Sequence, residues 1–128
     1  MMAVCVDPKR VSEVWPHFRH YIDSAINKVG LNSPQTIEAD VLSGRALLWL
    51  AYDGKLVHAA AVTEIVDKVC TIVACGGDGL DDFLPCMISL EQFARDEGCT
   101  AMRIIGRDGW QRILKNYKQK AVILERQL

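Results

Sequence analysis

From Phe18 to Val29 the apolar residues Phe18, Ile22, Ala25, Ile26 and Val29 recur three and four positions apart, and Gly30 follows. That is the spacing of one buried helix face with a glycine stop. Upstream, Val4-Cys5-Val6 predicts a short strand, and Asp7-Pro8 suits a helix cap with proline at the first helical position. Pro16 is expected to break the first turns away from the main helix. Ser33-Pro34 opens a second, shorter helix with Ile37 and Val41 inward, closing at Ser43-Gly44.

The period then changes. ALLWLAYDGKLVHAAAVTEI predicts two strands joined at Asp53-Gly54, a dipeptide suited to a tight turn. A second turn at Val66-Asp67-Lys68 leads into the apolar strand VCTIVAC, so residues 46–75 predict a three-stranded antiparallel meander. Phe83 to Glu97 carries a broad apolar helix face and ends at Gly98. AMRIIG predicts a strand, Gly109 to Asn116 a short helix, and AVILERQL a final strand. The order β-α-α-β-β-β-α-β-α-β gives an α+β domain over residues 1–128: a mixed, mainly antiparallel six-stranded sheet flanked by helices, with one parallel crossover after Cys75.

Composition adds little to this picture and charge adds more. Half of the 128 residues are apolar and a quarter charged, as in an ordinary globular domain. No apolar run is long enough to span a membrane, MMAVCVDPKR lacks the features of a signal peptide, and a cytoplasmic protein is expected. The five cysteines form no CxxC pair and read as free thiols in a reducing compartment. Net charge is −1, but residues 103–126 hold seven basic and two acidic groups, a local +5 against −6 for the rest. Such a basic end suits a phosphate-bearing ligand or an acidic partner, or is simply a solvated face. A nucleic-acid role is disfavoured, because the whole chain is not basic and no groove-reading motif is present.

Candidate chemistry centres on CGGDGLDDFLP, residues 75–85. Three glycines between a strand and a helix are placed like a phosphate cradle, yet Asp78, Asp81 and Asp82 accompany them and no basic residue does. Asp81 and Asp82 also suit the positive end of the following helix, so the loop is charged as if it capped itself. His17 and His20 stand three apart with no third metal ligand, and no metal is expected. His58 reads as a satisfied sheet residue. Cys75 has no acid–base partner in the pattern and reads as a core thiol. Trp110 reads as a helix anchor that could also stack on a ring.

With that element order, EQFARDEGCTAMRIIGRDGWQRILKNY resembles the helix–strand–helix block of the GNAT N-acetyltransferase superfamily. GRDGW with the closing VILERQL is similar to small divergent GNAT-like proteins of phages and prophages, which would place the protein in a host cytoplasm or a virion. The resemblance implies acetyl-CoA as cofactor and a small-molecule or protein amine as acceptor. It implies that pantetheine pairs with the freed edge of the third meander strand, at Ile72, Val73 and Ala74. It places the pyrophosphate at the glycine loop, at Gly76, Gly77 and Gly79; Arg103, Arg107 and Arg112 could gather around a phosphate, such as the ribose phosphate of CoA, or around an acidic partner, with Arg107 and Arg112 the candidate cofactor contacts.

The family loop, Gln/Arg-x-x-Gly-x-Gly/Ala, falls near Asp78, Asp81 and Phe83, and none matches. Carboxylates there would repel phosphate and weaken or abolish cofactor binding. The family's proton donor is a tyrosine on the penultimate helix. Here Lys115 falls near that position and Tyr117 two residues later, so Tyr117 is the candidate donor, and Glu64 the candidate base through water. Two functions follow: an acyl-CoA-dependent N-acyltransferase with a divergent loop, or a GNAT-fold protein without catalysis that binds a phage or host protein. Edge strands would also allow a homodimer.

Overall fold

A computed structural model describes residues 1–78 and 83–128. The elements in chain order are β1 (Met2–Cys5), a 3-10 turn (Pro8–Arg10), α1 (Val11–Val29), α2 (Pro34–Ser43), β2 (Leu47–Tyr52), β3 (Val57–Val66), β4 (Val69–Gly77), α3 (Leu84–Asp96), β5 (Ala101–Ile104) and α4 (Gly109–Ile113). The sheet order is β1-β2-β3-β4-β5, antiparallel throughout except for the parallel β4–β5 pair. The α+β class, the meander and the single crossover through α3 are as the sequence predicted. None of the described helices is long and apolar enough to cross a membrane.

Local chemistry sets the element ends. Ser33 Oγ accepts from the Thr36 N–H and caps α2. Asp53 Oδ1 accepts from both Lys55 and Leu56 N–H at 2.7 Å, fixing the β2–β3 turn. Asp67 and Lys68 both take positive φ, the conformation a two-residue hairpin demands.

Two expectations need correction. Pro16 does not divide the first helix: α1 runs unbroken through it. Proline there costs one hydrogen bond near the helix start, and the buried Val11, Trp15, Ile22 and Ile26 hold the segment to the sheet on both sides of it. Among the described residues the sheet has five strands, not six, because residues 121–128 form no regular structure. Alternating side chains do not make a strand without a partner's hydrogen bonds, and among the described residues the segment after Tyr117 makes no backbone hydrogen bond to the sheet edge.

Both faces of the sheet are covered, which is why the central strands are nearly continuous in apolar residues. Leu48, Leu50, Ala60, Val62, Val73 and Ala74 pack under α1 and α2. Trp49, Ala51, Ala59, Ala61 and Ile72 pack under α3 with Cys86, Met87 and Leu90. Thr63, the one buried polar side chain among the described residues, accepts from the indole N–H of Trp49 at 2.9 Å.

Candidate functional site: a fork between two parallel strands

Strand register creates the site. Val62 faces Ala74 while Thr63 faces Ile72, so Val73 is an extra residue, a β-bulge on β4. The bulge puts Val73 and Ala74 on the same face of the sheet, against α1. At the same rung β4 and β5 separate: the last pairing is Ile72 with Ile104, and the last bond is from Ile105 N–H to the Ile72 carbonyl at 3.0 Å. Beyond it, no backbone bond among the described residues joins the two strands, so the β5-facing edge of residues 73–77 is left for another partner.

The fork opens beneath the C-terminal end of α1. A cleft of about 140 Å3 lies there, walled by Val73 to Gly77, by Ile105 to Arg107 and Trp110, and by Lys28, Leu31 and Asn32. Its charged lining residues are Lys28 and Arg107, both basic; among the described residues no carboxylate, histidine or tyrosine lines it. Trp110 lies against Gly106, whose missing side chain makes room for the indole, and meets the Phe83 ring edge-on at 6.0 Å.

The predicted site residues scatter around this fork. Ile72 is the last closed rung, and Val73, Ala74, Gly76, Gly77 and Arg107 line the cleft. Gly76 and Gly77 are strand residues whose small size serves packing. A Cβ on Gly76 would run into the Tyr21 carbonyl of α1, and one on Gly77 into Ala59 and the His58 carbonyl. Gly79, Asp81 and Asp82 lie outside the described residues. Asp78 is engaged within the protein: its carboxylate accepts from the Tyr21 hydroxyl at 3.0 Å and its N–H donates to the His58 carbonyl. Arg112 is exposed on α4 and lines no part of the cleft.

Glu64 faces Thr71, at the closed end of the β3–β4 ladder, away from the fork. Tyr117 sits on the other side of β5, in a second, wider cleft, and its hydroxyl donates to Glu91 at 2.6 Å. Burial and the Glu91 carboxylate push its pKa well up, so it stays protonated. The structure therefore does not bring Tyr117 and Glu64 together. Lys28 and Asn32 were not singled out in the sequence: a lysine at a helix C-terminus looks like ordinary dipole complementation. His58 is the extra residue of a second bulge, and its Nε2 pairs with Asp53 Oδ2 at 2.6 Å.

Cys75 lines the fork, but burial, with Cys86 nearby, pushes its thiol up to about 12. A thiolate there is scarce at pH 8, so Cys75 should react with iodoacetamide at least about 100-fold more slowly than an unperturbed thiol. Peptide mapping after timed alkylation checks this, and a rate near that of a free thiol would contradict the burial.

No protein-family model matches the sequence and no curated protein matches it. Solved structures do. A probable acetyltransferase superposes on 100% of this chain and 97% of its own, with TM-score 0.67 at 12% identity. The chain has the GNAT acetyltransferase fold. Aminoglycoside N-acetyltransferase AAC(6')-Iy, bound to a bisubstrate analogue of CoA and acetylneamine, matches 98% of the chain and 97% of its own, with TM-score 0.63 at 12% identity. A predicted acetyltransferase of Clostridium acetobutylicum, solved with acetyl-CoA, matches 98% of the chain and 94% of its own, with TM-score 0.58 at 10% identity. At these identities the likeness carries the fold.

Proposed function

We propose that the protein is an acyl-CoA-dependent N-acyltransferase with a divergent cofactor loop. The observation that supports this most is the fork: beyond the Val73 bulge one edge of β4 has no strand partner among the described residues and faces a cleft whose described charged residues are both basic. An extended ligand with amide groups can add to such an edge as a further strand would. The pantetheine arm of acyl-CoA has that character, and structures with this fold have been solved with CoA or acetyl-CoA.

The residues fit this cofactor unevenly. The backbone of Val73 to Cys75 would hold the pantetheine, and Lys28 and Arg107 would meet phosphate. Gly76, Gly77 and the N–H of Asp78 are already used in packing and pairing, so the phosphates would rely on basic side chains more than on a glycine cradle. Bound acyl-CoA supplies the acyl group as a thioester. The cleft contributes orientation and exclusion of water; with no carboxylate or histidine in its described lining, it favours an amine that arrives already neutral. Turnover should therefore rise with pH toward the pKa of the acceptor amine.

That same lack of a base favours the second reading, a GNAT-fold binding protein without catalysis. A phage or prophage source is supported by the resemblance of GRDGW and VILERQL alone.

Calorimetric titration with acetyl-CoA tests the reading. Binding tighter than about 100 μM is expected. Lys28→Glu/Arg107→Glu should weaken it tenfold or more at low salt, whereas Arg112→Ala should leave it unchanged. Absence of binding by folded protein would overturn the acyltransferase reading. Binding without release of free CoA thiol across a panel of amines would support the non-catalytic one.

A further inference from the structure

The fork suits a pantetheine arm better than it suits a nucleotide. Gly76 stands against the α1 backbone, Gly77 is closed in by β3, and the Asp78 N–H already donates to the His58 carbonyl. The wall of β4 then ends in the Asp78 carboxylate, held by the Tyr21 hydroxyl at 3.0 Å. Lys28 and Arg107 are the charged residues of the described lining. CoA brings a pyrophosphate and a ribose phosphate to such a site. A pantetheine arm attached to a carrier protein brings a single phosphodiester, and a lysine with an arginine matches that smaller charge.

A second, independent feature lies outside the cleft. Residues 103–115 hold Arg103, Arg107, Arg112 and Lys115 against Asp108 alone, a net +3. All four cations are exposed, and none makes an ion pair among the described residues. Arg10, Arg19 and Arg45, on the other side of the chain's charge division, are each paired with a carboxylate. Arg112 follows Trp110 on α4, and Trp110 lines the cleft, so unpaired positive charge stands beside the fork. Such a surface repels itself and draws a partner of opposite sign.

We propose that the fork takes its acyl group from a phosphopantetheine arm carried on an acidic protein, which docks on Arg112 and Lys115. The arm adds along the free edge from Val73 to Cys75, and Lys28 and Arg107 meet its phosphodiester. This donor class rests on the reading of the fork as a pantetheine site. In the transfer the acceptor nitrogen attacks the thioester carbonyl; the C–N bond forms, the C–S bond breaks, and the arm's sulfur leaves as a thiol with the proton the amine gives up. Docking and arm reinforce one another, because the docked carrier raises the effective concentration of the arm at the fork. Nucleic acid would satisfy the same cations but brings no thioester and no use for the free edge.

The experiment is calorimetry at low salt with an acyl carrier protein bearing an acetylated arm, the same carrier without its arm, and acetyl-CoA. The acetylated carrier is expected to bind at least about tenfold more tightly than either of the others. Added salt should remove most of that advantage. Arg112→Glu/Lys115→Glu should weaken the acetylated carrier tenfold or more while acetyl-CoA binding and circular dichroism stay unchanged. An acetylated carrier that binds no more tightly than acetyl-CoA would overturn the proposal and leave the acyltransferase reading standing. Equal binding of the carrier with and without its arm would overturn it as well. So would a short DNA duplex that binds more tightly than the acetylated carrier, which would assign the surface to nucleic acid. Folded protein that binds none of these ligands would sink both readings together.

Discussion

Trp15→Ala is expected to destabilise the fold by about 3–5 kcal/mol, the largest loss for a single substitution anticipated here. Trp15 is 2% exposed and is the largest fully buried side chain of α1. Its ring joins the cluster formed by Ile22, Val41 and Leu48 between α1, α2 and the sheet. The Arg19 guanidinium lies over it, 5.7 Å from the ring centroid. Truncation would remove the burial and leave a cavity that a helix clamped at Ile22 and Ile26 cannot collapse into. In urea the midpoint should fall with the slope unchanged, and the melting temperature should drop by roughly 10–20 °C. Trp15→Phe should cost much less, about 1–2 kcal/mol, because a phenyl ring keeps most of the packing that alanine loses; both variants remove the indole N–H, which is buried without a partner. Equal losses for the two variants would mean that a phenyl ring cannot replace the packing of the indole.

Gly76→Ala is the second large effect, at about 2–3 kcal/mol for a single added methyl. The methyl would meet the backbone carbonyl of Tyr21, with the Ala25 Cβ beside it. Backbone in the middle of a 19-residue helix cannot yield as a side-chain tip can. Either α1 lifts from β4, opening the floor of the cleft, or β4 twists further beyond its bulge. A drop in melting temperature of roughly 6–15 °C is expected. Acetyl-CoA binding should weaken with it, since Val73 to Gly77 form both the packing surface and the cleft wall. A glycine needed only to cradle phosphate would behave differently: the alanine variant would keep its stability and lose affinity alone. That outcome would return Gly76 to a cofactor-contacting role.

Most of the fold is legible in the sequence because it rests on local signals. The caps at Ser33 and Gly44, the turn at Asp53-Gly54 and the periods of α1 and α3 act within a few residues. They place nine of the ten elements of the predicted order near their observed positions. The candidate site was legible only as a region. The loop CGGDGLDDFLP pointed to the right end of β4, but a glycine pattern does not show whether a ligand or a neighbouring helix needs the space. Gly76 and Gly77 answer to Tyr21 and Ala59, residues far away in sequence. Tyr117 and Glu64 were paired by analogy, and their placement depends on register and on how the chain leaves α4.

What the sequence determined by itself was the class, the element order and the uneven charge, because hydrophobic period, capping and composition are properties of short stretches. Tertiary structure alone decided three things. It put the extra residue of β4 at Val73, which opens the fork, and it enclosed the fork with two cations and no described base. It also left residues 121–128 without a strand partner among the described residues. Each depends on which strand lies beside which and in what register, and register is settled by the whole sheet packing against its helices.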